Sequence, residues 1–311
     1  MKEKKKSVLP SCLSRLHWRS GTGYSIVVYI LLIDLAFVFL YPYIYMLSTS
    51  FKSYNDTMSS FVKWIPKEFS PENWKVAFEL LQYPRRFFNS ALVSILSTLG
   101  HLLSCSFVAY GFARYQFPLK KMWFVMVLLT IAVPVQSIII PQYRIYSILG
   151  ITGGYLPLLL PTLFGFGLRG GLFVFLFRQN YLRLPAALEE AAEIDGSNPL
   201  MTYFRIVLPS SGSITLVCFV LSMVWHWNDY YEPSIYLTNS DLFLLPQALP
   251  AMTTVLKALQ ESQQADSSLQ MTYHSGVSMA GTAMAVLPLL IMFLFLQKRF
   301  VEGVERTGLV E

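Results

Sequence analysis

The chain has 311 residues, 54% hydrophobic and 15% aromatic but only 14% charged, with a mean hydropathy of +0.48 and a formal net charge of +6. That balance excludes a water-soluble domain built around one ordinary core and points to an all-α, polytopic membrane protein. The positive charges are scattered rather than gathered on a soluble basic face, which argues against nucleic acid as a partner.

The opening "MKEKKKSVLPSCLSRLHWRS" is basic and leads into an apolar run of about 24 residues without an A-x-A cleavage site, so it reads as the cytoplasmic lead into a retained first span. Six apolar runs are long enough to cross about 30 Å of hydrocarbon. They are Tyr24 to Leu47, Phe88 to Phe112, Met122 to Gln142, Tyr155 to Phe177, Gly212 to Tyr230 and Gly276 to Gln297. Pro134 and Pro141 interrupt the third, and Trp227-Asn228-Asp229 closes the fifth. The division is thus a cytoplasmic segment 1–23, a six-span domain 24–297 and a cytoplasmic tail 298–311.

Orientation follows from Lys and Arg, which favour the cytoplasmic side of short loops. With the N-terminus inside, the cytoplasmic segments 1–23, 113–121, 178–211 and 298–311 hold 15 basic residues in 80 positions, and the outer segments hold 8 in 97. Both termini and the segment 178–211 therefore face the cytoplasm. Cys12, Cys105 and Cys218 imply no disulfide framework, and His17, His101, His226 and His274 lack ligand spacing, so no metal site is expected. There is no G-x-x-x-x-G-K-[ST] to hold ATP phosphates. Gly165-Phe-Gly167-Leu-Arg-Gly170 fits G-x-G-x-x-G but follows no strand, and it reads as helix packing with Gly167 and Gly171 as a small-xxx-small face.

Within segment 178–211, Pro185 to Asp195 has the composition of a short helix, Gly196 suits a left-handed turn, and Asn198 with Pro199 caps and starts a second helix. Ala187, Ala191 and Ile194 fall on one stripe of the first helix, and Glu189 and Glu193 on another. A solvated helix on the membrane surface would favour Lys and Arg on its polar face. The acidic face points instead to a protein partner.

The spacing Glu190-Ala191-Ala192, three residues, Gly196, nine residues, Ile206, one residue, Leu208-Pro209 resembles the "EAA" loop of bacterial ABC import permeases. The likeness runs from about Tyr41 to Gly303 and is to the maltose-type sugar permeases. It is carried also by "NSALVS" at Asn89, "AYGFARYQF" at Ala109, "VPVQSIIIPQY" at Val133, "WNDYYEP" at Trp227 and "QKRFVEG" at Gln297. The ending "VEGVERTGLVE" departs from the commoner close of that family. The resemblance implies a cytoplasmic helix-turn-helix coupling loop at about 185–209, with Glu190, Ala191, Ala192, Asp195, Gly196, Ile206, Leu208 and Pro209 serving attachment to an ATPase. It also implies a second homologous permease subunit, two ATPase subunits that carry ATP and Mg, an extracytoplasmic solute-binding protein and a sugar substrate. The chain itself would hold no cofactor and break no covalent bond, and it would sit in the bacterial inner membrane.

Trp225, Trp227, Asn228 and Asp229 at the outer end of the fifth run are either an interfacial belt or a sugar-lined path. Arg169 near mid-membrane needs compensation. It would pair with Asp34, which lies at a similar depth, donate to carbonyls of a kinked neighbour, or face the path and meet an acidic sugar. Other classes stay open: a permease for a non-sugar solute such as glycerol phosphate, or an ion-coupled secondary transporter using Asp34 and Arg169.

Overall fold

A computed structural model describes residues 22–59, 61, 64–167, 169–262 and 274–307; among them the chain is helical, with one isolated antiparallel bridge between Lys52 and Phe69 and no strand. Cys12, His17 and the last four residues lie outside the described residues.

Helix α1 (Thr22–Ser50) is apolar around its circumference apart from Asp34, and most of its side chains from Ile26 to Leu47 are exposed. That is the pattern of a helix whose solvent is lipid on most of its circumference. It leans on the last helix, α15 (Ser275–Thr307). After α1 stand the short α2 (Tyr54–Met58) and α3 (Glu72–Leu80), the latter packed with α14 (Leu245–Ser262) and α15 around Ala77, Leu81, Met252 and Val277.

Helix α4 (Tyr83–Arg114) is the central pillar. At 1.5 Å per residue its 32 residues run about 48 Å, enough to cross the bilayer and project beyond it. The main core lies where α4 meets α8 (Gly170–Arg183) and α12 (Gly212–Asn228), with Cys105, Phe173, Phe177, Tyr181, Tyr203, Val217 and Cys218 all buried. Close approach is bought with small residues: a Cβ on Gly100 would sit 2.6 Å from Thr162 Oγ1, and one on Gly171 would fall on the side chain of Thr130.

Three helices, Ser25–Ser50, Tyr83–Arg114 and Ser275–Gly303, are each long and apolar enough to cross a membrane. The third and fourth apolar runs depart from the straight spans expected of them. Helix α5 (Lys120–Ala132) turns by 103° into α6 (Val135–Ile148). Pro134 forces Val133 out of the α region, to ψ 117°, and removes the N–H that would continue the ladder. The fourth run divides into α7 (Leu156–Leu163) and α8, with Phe164 to Gly167 and Arg169 outside either helix. Gly165 and Gly167 stand there at φ +70° and +109°, conformations that an L side chain resists. The expected Gly167/Gly171 helix face is therefore wrong: Gly167 belongs to the break, and Gly171 alone lies on a helix, against α5.

After α8 come α9 (Ala187–Ile194), α10 (Pro199–Thr202), a π-helical turn Tyr203–Val207 and α11 (Leu208–Ser210). The chain then turns 80° into α12, followed by α13 (Tyr231–Tyr236) and α14.

Candidate coupling and translocation sites

The first site is the helix pair at 187–210. Asp195 closes α9, and Gly196 at φ +82° carries the chain through the turn. The Gly196 N–H donates to Glu193 O at 3.0 Å and the Ser197 N–H to Ala192 O at 2.9 Å, the two bonds of a Schellman motif. The Asn198 side chain then accepts from the Met201 N–H at 2.8 Å, with Pro199 starting the second helix. The helix, glycine turn and helix expected from the residues are all present. Not foreseen is the π-helical turn before Leu208-Pro209, where the Leu208 N–H reaches back to Tyr203 O. The wider turn accommodates Pro209, whose ring would clash with the carbonyl four residues back in a regular helix.

The pair is fastened to the bundle on one side only. Arg114, the last residue of α4, donates from Nε to Glu189 Oε1 at 2.6 Å and from Nη2 to Leu184 O at 3.0 Å. Tyr110 OH donates to Glu189 Oε2 at 3.3 Å. Tyr203 is fully buried, its OH 2.6 Å from Ser106 Oγ. Ala192 is buried, whereas Glu190, Ala191, Glu193, Asp195 and Gly196 are exposed and Ile194 is 87% exposed. Ile206 and Leu208 are half-buried and Pro209 exposed; the last two border a cavity of about 680 Å³ between the chain corner and Arg299 of α15.

The second site surrounds the α7–α8 break. Unwinding a helix frees carbonyls that hydrocarbon cannot solvate, so protein groups must bond them. Side chains of α4 do so. Ser104 Oγ donates to Thr162 O at 2.6 Å, the Cys105 thiol lies 3.6 Å from Gly170 O, and His101 Nε2 is 3.3 Å from Phe166 O. Because the Phe166 carbonyl can only accept, His101 carries its proton on Nε2 and accepts at Nδ1, 3.2 Å from His226 Nε2 of α12. Among the described residues no group of three His, Cys, Asp or Glu is arranged to hold a metal.

Beside the break a cavity of about 760 Å³ is lined by Thr130, Gln136, Arg169, Asp229, Tyr231 and Glu232 among others. Arg169 is exposed to it, at φ +62°, with its guanidinium 4.4 Å from the Trp225 ring centroid. The ion pair expected between Arg169 and Asp34 is not formed. Asp34 is exposed on α1, which packs mainly on α15, while Arg169 rests on α12. Similar depth along two helices does not make them neighbours, and a cation over an indole face supplies part of the compensation instead. Trp225 thus supports a cavity residue, and Asp229 lines the cavity while accepting from the Tyr231 N–H at 3.0 Å. Trp227 turns away, 4% exposed, with its Nε1–H bonded to Ala285 O of α15 at 3.0 Å, and Asn228 bonds its own helix at Val224 O. Neither lines the cavity.

Helices for a bilayer, a docked helix-turn-helix at one end and a cavity with a few polar side chains on apolar walls beside a broken helix define a membrane permease. The chain belongs to the family of binding-protein-dependent transport system inner membrane components, whose model matches residues 103–306. It is an ABC importer permease subunit, a non-catalytic membrane component that works with a partner permease, an ATPase and a solute-binding protein. It is 27% identical over 277 residues to the arabinooligosaccharides transport system permease protein AraQ of Halalkalibacterium halodurans, covering 88% of this chain and 92% of that one. It is 29% identical over 215 residues to the sn-glycerol-3-phosphate transport system permease protein UgpE of Pectobacterium atrosepticum, covering 69% and 70%. A crystal structure of a bacterial ABC transporter involved in the import of the acidic polysaccharide alginate contains a chain of the same fold, with a TM-score of 0.73, 21% identity and coverage of 91% and 98%.

Proposed function

We propose that this chain is one half of the translocation unit of a saccharide importer. A second homologous permease completes the path, two ATPase subunits bind and hydrolyse ATP with Mg, and an extracytoplasmic protein delivers the solute. The chain crosses the membrane six times, with both termini cytoplasmic, and two crossings are bent or broken. The helix pair at 187–210 seats in the ATPase through Glu190, Ala191 and Gly196, and ATP-driven closure rotates the spans between inward- and outward-open states.

One observation carries this reading. The helix pair is anchored through Glu189 and Tyr203 on its inner side, yet leaves Leu188, Ile194, Leu200 and Phe204 exposed beside the acidic Glu190. An apolar patch rimmed by acids beyond the end of a membrane bundle suits a protein groove with a basic rim. The relative named for arabinooligosaccharides supports a saccharide substrate. A second reading, a phosphorylated solute such as glycerol phosphate, is favoured by the exposed Arg169 of the cavity and by the relative named for sn-glycerol-3-phosphate.

The test is purification of the assembly in detergent, identification of the co-purifying chains, and ATPase measurement with the binding protein offered arabino-oligosaccharides or glycerol 3-phosphate. Stimulation by the oligosaccharide is expected. Stimulation by glycerol phosphate alone would select the second reading, and a preparation lacking any ATPase would overturn both.

A further inference from the structure

We infer that Arg114 and Glu189 form the joint through which the helix pair moves α4, and that α4 carries this motion to the α7–α8 break. The inference rests on the reading of the helix pair as an ATPase dock. It begins with the position of Arg114. The last residue of α4 binds the first turn of α9 through Glu189 and the end of α8 through the Leu184 carbonyl. One planar guanidinium thereby fixes three chain segments, which an ammonium could do only with looser geometry. The two side chains are 18% and 14% exposed, so water weakens the pair far less than at an open surface. Each charge also suits its helix terminus, the cation at the C-terminal end of α4 and the anion in the first turn of α9.

The same helix holds the intramembrane break. From His101 to Arg114, about 20 Å along the axis, α4 presents two sets of side chains. His101, Ser104 and Cys105 bond carbonyls of the break, while Ser106, Tyr110 and Arg114 bond the helix pair. No proline lies between His101 and Arg114, and Gly111 is the sole glycine there. A displacement of the helix pair reaches the break beside Arg169 through one continuous helix, a rigid element of the kind that carries energetic coupling between distant sites. Arg114 and Glu189 are positioning residues in this scheme: neither touches the ATPase face or lines the cavity.

The experiment uses the complete assembly in nanodiscs. Spin labels go on Ser197→Cys, in the turn of the helix pair, and Leu103→Cys, on the exposed face of α4, with Cys12 replaced by serine and the fully buried Cys105 and Cys218 kept. The separation is measured without nucleotide and with ATP and vanadate. A rigid joint keeps the separation the same in both states. In Arg114→Ala and in Glu189→Gln the separation should change with nucleotide and its distribution broaden, and solute-dependent stimulation of ATP hydrolysis should fall at least about fivefold. The exchange Arg114→Glu with Glu189→Arg should restore a narrow, nucleotide-independent separation. An unchanged separation in both single variants would overturn the inference. So would loss of the ATPase from both singles without recovery in the exchange, since the pair would then serve only to fold the loop. Failure of the docking reading is recognised separately: Glu190→Lys, outside the joint, would then leave ATPase retention untouched.

Discussion

The turn at Gly196 and the packing at Gly171 use the same residue for opposite reasons. Around Gly196 an added Cβ would meet nothing within 4 Å, but the backbone stands at φ +82°. Around Gly171 the backbone is ordinary helix, yet a Cβ would fall on Thr130 and lie 2.6 Å from the Val127 carbonyl. The first glycine is required by conformation and the second by space. A loop that must turn sharply for a partner constrains its own backbone, while helices packed inside a membrane constrain their neighbours.

Substitution separates the two requirements. Of the two glycines the larger effect on stability is expected from Gly171→Val, where β-branched bulk forces α8 away from α5. Overpacking of this kind costs about 1–3 kcal/mol or more, because a backbone carbonyl cannot move aside as a side chain can. Thermal unfolding in detergent should show a clear loss of stability, and a melting temperature equal to that of the parent would refute the close approach. Gly196→Val comes next, at about 1–3 kcal/mol of local strain from a β-branched residue held at positive φ. Its cost should fall on function: the bundle melts as before, while solute-stimulated ATP hydrolysis is lost. Normal stimulation in that variant would show that the turn does not require its present conformation.

A smaller effect is expected at the cavity. The Arg169 guanidinium over Trp225 should contribute about 0.5–2 kcal/mol, measurable as the coupling in a double-mutant cycle of Arg169→Ala and Trp225→Phe. Arg169→Ala with Asp34→Ala should be additive, because no ion pair joins the two and the Arg169 guanidinium lies over Trp225 instead. The smallest effect on folding belongs to Glu190→Lys, within about 0.5 kcal/mol at an exposed position, although it should weaken ATPase retention. Glu189→Lys should behave differently. It sets a cation against the mostly buried Arg114, so assembly itself should suffer, by about 3–5 kcal/mol, the scale for leaving a buried charge uncompensated. Identical behaviour of the two glutamates would remove the distinction between an inner and an outer face of α9.

Much of this protein is legible one residue at a time. Apolar runs announce helices for lipid because hydrocarbon thickness sets their length, and the glycine turn, the Asn198 cap and the Pro199 start follow from local backbone chemistry within a few residues. The same locality explains what the residues did not reveal. The apolar run from Tyr155 to Phe177 scores as a span, since hydropathy averages over Gly165 and Gly167 and cannot sense that α4 offers Ser104, Cys105 and His101 to the freed carbonyls. His101 and His226 are 125 positions apart, and Arg114 and Glu189 are 75 apart, with nothing in either spacing to foretell contact. Depth along two helices likewise matched Arg169 to Asp34, although which helices are neighbours was settled by packing and Trp225 took the cation. The sequence by itself determined element type, turn chemistry and family, because propensity, φ preference and hydrophobic length act within a few residues. Only the tertiary structure decided which buried polar groups meet, because each must be satisfied by whichever distant helix the close packing brings alongside.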